Sequence, residues 1–88
     1  MMDENKYYKI NDLNLATFLC VKGFQLLNIE NGETRKTFVF ERSNQLTEMV
    51  RIFYYAEPSN QESMVNAHEI LQTIRTLKAK LYSNITRK

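Results

Sequence analysis

The chain is poor in the residues that punctuate or staple a fold. Glycine occurs twice, at Gly23 and Gly32; proline once, at Pro58; cysteine once, at Cys20; histidine once, at His68; and tryptophan is absent. A single cysteine excludes a disulfide framework or a thiolate metal site within one chain. A single histidine excludes a histidine-rich metal cluster. Two isolated glycines are too few for a phosphate-cradling loop. No apolar run approaches the roughly 18 residues of a membrane span. The opening Met1-Met2-Asp3-Glu4-Asn5-Lys6 lacks the basic-then-apolar order of a secretory leader. The expectation is a cytoplasmic protein with no metal, no cofactor and no membrane association.

What is present fits one small domain. There are 88 residues, 43% hydrophobic and 25% charged, close to the globular average, so the whole of 1–88 is expected to be one domain with an ordered core over about 6–84. The net charge of +2 is unevenly spread. Residues 70–88 carry Arg75, Lys78, Lys80, Arg87 and Lys88 with no acid, whereas residues 1–69 are net −3. Such a basic tail can attract phosphates or complement a helix C-terminus.

Residues 6–10 alternate as a short strand, with Tyr8 and Ile10 on one face and Tyr7 and Lys9 on the other. Asn11-Asp12 offers a helix cap. Leu13, Ala16 and Cys20, flanked by Leu15 and Leu19, predict a helix over 12–22 that stops at Gly23 in the left-handed region. Residues 24–29 and 34–41 predict a hairpin. Asn31-Gly32 suggests a two-residue turn, but that pairing sets Phe24 and Leu26 on the face opposite Phe38 and Phe40. A three-residue loop, Glu30-Asn31-Gly32 with Gly32 left-handed, puts all four on one face and is the expected connection. Ser43-Asn44 caps a second helix with the stripe Leu46, Met49, Val50 and Phe53, ended by Ala56-Glu57-Pro58. After a polar turn at 59–62, residues 63–84 predict a long helix along Ala67, Ile70, Ile74, Leu77 and Leu81, with Met64 and Leu71 widening the stripe.

The predicted fold is α+β, in the order β-α-β-β-α-α. Its three-stranded, mainly antiparallel sheet has the third strand in the middle and is packed by helices, the C-terminal one long. Phe24, Leu26, Phe38, Phe40, Tyr8 and Ile10 line the face under the helices. The other face would carry Leu27, Ile29, Val39 and Tyr7 among Gln25, Lys9 and Thr37, which is more apolar than a solvated face should be. Either the long helix wraps round to cover it or another chain does.

Few side chains invite chemistry. His68 has Glu69 beside it but no nucleophile. Cys20, on the buried side of its helix, behaves as a small hydrophobe. The acidic residues are scattered among helix starts, turns and exposed faces. The tyrosines say more. Tyr54 and Tyr55 end the second helix, and Tyr82 shares a face of the last helix with Arg75 and Lys78. Packing, a protein interface, and base stacking beside phosphate contacts are all open readings for them.

Several segments together resemble a small prokaryotic and phage family known only as a domain of unknown function. They are Tyr8-Lys9-Ile10-Asn11-Asp12-Leu13-Asn14-Leu15-Ala16, Lys22-Gly23-Phe24, Phe38-Val39-Phe40-Glu41, Arg75-Thr76-Leu77-Lys78 and Leu81-Tyr82. The resemblance implies a compact α/β domain, often encoded near mobile elements, and carries over no activity, ligand or catalytic residue.

The expected function is that of a small non-enzymatic interaction or regulatory protein of phage or mobile-element origin. It would meet a protein partner, or its own copy as a homodimer, through Leu27, Ile29, Val39, Tyr54 and Tyr55. The alternative is nucleic-acid binding through Arg75, Lys78, Lys80, Tyr82, Arg87 and Lys88.

Overall fold

The computed structural model describes residues 6–32 and 35–86, with side chains as far as Leu81. In chain order they form β1 (Tyr7–Ile10), α1 (Leu13–Val21), β2 (Leu26–Asn31), β3 (Lys36–Glu41), α2 (Asn44–Tyr55), a 3-10 turn (Gln61–Ser63) and α3 (Ala67–Thr86). The sheet order is β1-β3-β2 with both pairings antiparallel, so the α+β arrangement expected from the sequence is the one found.

Short polar side chains start each helix. Asp12 Oδ1 accepts the Asn14 amide at 2.9 Å, Ser43 Oγ the Leu46 amide at 3.1 Å, and Asn66 Oδ1 the Glu69 amide at 3.0 Å. Each satisfies one backbone donor left orphaned by helix geometry. The end of α1 is closed by two reverse bonds, Gly23 N–H to the Cys20 carbonyl and Phe24 N–H to the Leu19 carbonyl, both 3.0 Å. This pattern needs a left-handed residue, and Gly23 sits at φ +105°.

The third helix starts later than expected, at Ala67 rather than residue 63. Two asparagines divide the segment: Asn60 caps the 3-10 turn through a 2.8 Å bond to the Glu62 amide, and Asn66 then caps α3. Met64, between them, is extended and exposed, and Leu71 is exposed on the helix itself, so neither widens the buried stripe.

The hairpin also departs from expectation. Asn31 pairs with Lys36, and Gly32 N–H bonds the Arg35 carbonyl at 2.9 Å, so β2 runs on into the expected Glu30–Gly32 loop while β3 begins at Lys36, two residues later than expected. The connection itself, residues 33–34, lies outside the described residues. Gly32 is not left-handed. The parity problem is solved elsewhere: the register shifts between Leu26 and Asn28, leaving Leu27 as an extra residue in β2. A bulge reverses side-chain parity as an odd loop would. Leu26 therefore still opposes Phe40 on the core face, and Ile29 opposes Phe38 there too.

That face is the core. Ile10, Phe38 and Phe40 of the sheet pack with Leu15, Ala16 and Leu19 of α1, Leu46 and Val50 of α2, and Leu77 of α3. Tyr8, Phe24, Leu26 and Ile29 complete it, partly buried. Deleting Leu27 keeps Leu26 against Phe40 and Asn28 against Val39, so that variant is expected to fold with slow amide exchange at Phe38 and Phe40. Deleting Val39 swaps the faces of one half of β3 and should abolish cooperative thermal unfolding. Equal behaviour of the two variants would contradict the bulge assignment.

Candidate protein-interaction surfaces

The middle of helix α1 is buried on all sides: Leu15, Ala16, Thr17, Phe18 and Leu19 are consecutive and all lie within the protein, while Asn14 near its start is exposed. Leu15 and Leu19 meet the sheet-side core, and the far side of the helix needs other cover. Part comes from the segment between α2 and α3. Lys22 Nζ donates to the Met64 carbonyl at 2.8 Å, and the same ammonium lies 5.6 Å from the Phe18 ring centroid. Val65, next in the chain, packs against the core. Thr17, the buried polar residue here, is satisfied by donating to the Leu13 carbonyl at 2.8 Å.

The cover is incomplete. A groove of about 440 Å³ lies between the helices, walled by Phe18, Ile52, Phe53, Val65, Ile70 and Ile74. No stripe or motif in the sequence brings these residues together. The available signal was α1 itself, whose apolar side chains point every way and so require apolar partners away from the sheet.

From this groove an aromatic series climbs to the surface. Phe18 to Phe53 and Phe53 to Tyr54 are each 5.1 Å between centroids, and Tyr54 to Tyr55 is 6.3 Å. These tilted and edge-on contacts are favourable aromatic geometries. The series begins at a buried ring and ends with Tyr54 51% and Tyr55 78% exposed. Tyr54 is further held by its hydroxyl, which donates to Asp12 Oδ2 at 3.3 Å. Partial burial first, and then the Asp12 carboxylate, hold the Tyr54 phenol above the ordinary tyrosine range.

The opposite sheet face is less greasy than the sequence suggested. Ile29 is on the helix-covered side, a correction that follows from the bulge. Val39 does point away from the helices but is only 5% exposed. Strand neighbours seal it: the hollow over it is lined by Tyr7, Lys9, Leu27, Asn28 and Glu30, and Lys9 Nζ stands 3.6 Å from Glu30 Oε2, bridging β1 to β2 across β3. Of the three sheet residues expected at an interface, Leu27 is the one with an exposed side chain, at 45%.

The basic residues divide. Arg75, Lys78 and Lys80 are exposed. Arg75 and Lys78 share a helix face by their three-residue spacing. Lys80 instead lines hollows beside β2. The Tyr82 side chain, Arg87 and Lys88 lie outside the described residues. His68 is exposed, with Gln72 Nε2 3.3 Å from its Nε2. Cys20 is half-buried, and burial raises its thiol pKa while the Lys80 charge lowers it in part. Among the described residues no three His, Cys, Asp or Glu side chains gather as a metal site, and no helix is long and apolar enough to cross a membrane.

The tyrosine anchor generates a spectroscopic prediction. Protonated Tyr54 is the form the fold favours, so its stabilisation is complete at neutral pH and is lost as pH rises above the unfolded value of about 10. Absorbance titration should show a tyrosine ionising above the ordinary value of about 10, and Asp12→Asn, which keeps a capping oxygen, should lower it in part and leave the contribution of burial. No change on that substitution would detach Tyr54 from Asp12.

No curated protein and no solved structure matches the chain. A family model matches residues 5–83, taking in all three strands, α1, α2 and most of α3. The chain thus belongs to the family described as a domain of unknown function, DUF5659.

Proposed function

We propose that this chain is a small non-enzymatic interaction protein of the cytoplasm that docks a protein partner at the Tyr54–Tyr55 end of α2 and the apolar groove beside it. The observation that carries this reading is the aromatic series itself. It spends packing at Phe18 and Phe53 to hold two exposed rings in place. Pre-ordered tyrosines lose little side-chain freedom on binding, and such residues beside an apolar hollow are common interface anchors. Leu27, on the far sheet face, supports a smaller second contact, and self-association as a homodimer is one form the interaction can take. Phage or mobile-element origin is part of the proposal and rests on the resemblance described from the sequence.

Nucleic-acid binding is the competing reading. It has Arg75 and Lys78 side by side on an exposed helix face, but Lys80 turns toward β2, so the three described cations do not form one patch. The interaction reading is preferred for that reason.

Tagged protein and its Tyr54→Ala/Tyr55→Ala variant, both exposed to host lysate, separate these readings. The expectation is a protein retained by the parent and weakened about thirtyfold or more in the variant, the size of an interface hot spot. Light scattering of the same samples identifies the partner as a second copy if the parent is dimeric and the variant monomeric. Identical capture by both baits, or retention only of nucleic acid that dissociates with salt, would overturn the proposal.

A further inference from the structure

The two edges of the sheet are finished differently. In β1, Arg42 donates a guanidinium N–H to the Tyr7 carbonyl at 3.3 Å, covering part of that edge. At β2, the bonded pair Gly32–Arg35 sets the ladder phase, because hydrogen-bonded and non-bonded pairs alternate in an antiparallel ladder. Glu30 and Asn28 therefore turn their amides and carbonyls to β3, while Ile29 and Asn31 turn theirs away from it. Asn11 Nδ2 bonding the Lys36 carbonyl at 2.9 Å on the β1 side agrees with this phase. Among the described residues, no hydrogen bond reaches the outward backbone groups of Ile29 or Asn31. Unpaired strand edges of this kind accept added strands.

A groove runs beside this edge. Two adjoining hollows of about 200 and 420 Å³ share Leu26 and Lys80 as walls. Ile29 stands at the strand end, and Cys20, Thr76 and Leu77 at the helix end. Among the described residues Lys80 is the one charged residue lining either hollow, and Asn28, Gln25, Gln72, Thr73 and Thr76 stand beside Leu26 and Leu77, so an occupant meets largely polar walls, open backbone groups and a single positive charge.

We propose that the groove between α3 and β2 binds an extended peptide that adds to β2 as a fourth strand and sets a carboxylate against Lys80. Main-chain bonds to Ile29 and Asn31 supply the alignment, and Gln25, Gln72 and Thr76 along the groove offer hydrogen-bonding groups to the peptide's side chains. This rests on reading the chain as an interaction module, but at a surface separate from the tyrosine end.

The test uses peptides selected on the full chain from a displayed random library. Binders are expected to carry Asp or Glu at one fixed position in an extended segment. On binding, exchange of the Ile29 and Asn31 amides in the isotope-labelled protein should pass from fast to slow. Asn31→Pro removes an outward donor without touching the ladder, and Lys80→Glu reverses the charge at an exposed site. Each should weaken binding about tenfold or more while leaving the thermal unfolding midpoint in place. Tyr55→Ala should leave peptide affinity unchanged. Binders that ignore both groove variants but are lost with Tyr55→Ala would overturn this inference and leave the tyrosine reading standing. A peptide-free dimer abolished by Asn31→Pro would overturn it in favour of a second copy on the same edge, and failure to select any binder would overturn it outright.

Discussion

Helix α1 presents water with no apolar side it can tolerate, and the arrangement of the molecule follows from burying it. A helix whose side chains are apolar all round must be enclosed. The sheet takes the Leu15 and Leu19 side, α2 and α3 pack beside it, and the connection between them lays Val65 over what is left, fastened by Lys22 to the Met64 carbonyl. The enclosure also explains Thr17, a buried hydroxyl that must find its acceptor within the helix and does so at Leu13. Among the described residues no buried side-chain nitrogen or oxygen is left without a partner.

Enclosing one helix with so short a chain leaves seams, and the seams carry the functional proposals. The groove over Phe18 is where α2 and the start of α3 fail to meet. The aromatic series from Phe18 to Tyr55 is an extension of the same packing out to solvent. On the other flank, α3 runs close to β2 without covering its edge, so backbone groups, a largely polar hollow and Lys80 share one strip of surface. The bare sheet face is the quieter surface. Turning Ile29 inward and strapping Lys9 to Glu30 leaves Leu27 as its main apolar projection.

Local signals in the sequence translated directly into structure. Asp12, Ser43 and Gly23 act on backbone groups within a few residues of themselves, and the stripe Leu46–Met49–Val50–Phe53 is an angular relation within one helix, so both were legible without knowing the fold. The start of α3 was misplaced because Asn60 and Asn66 both cap, and six residues apart they yield two helical segments rather than one longer helix.

Strand order and the core membership of Phe38 and Phe40 were also readable, since burying four aromatic or aliphatic strand residues on one face leaves few arrangements. How parity was achieved was not. A displaced loop and a bulge satisfy the same hydrophobic pattern, and the choice depends on pairings between distant residues such as Asn31 with Lys36. Ile29 shows the consequence: by alternation it belongs outside, and one extra residue at Leu27 carries it inside. The tyrosine platform was visible as residue types, while the groove beside it and the open edge of β2 exist only where separate elements meet. Their geometry is a property of packing in three dimensions, to which no run of neighbouring residues holds the key.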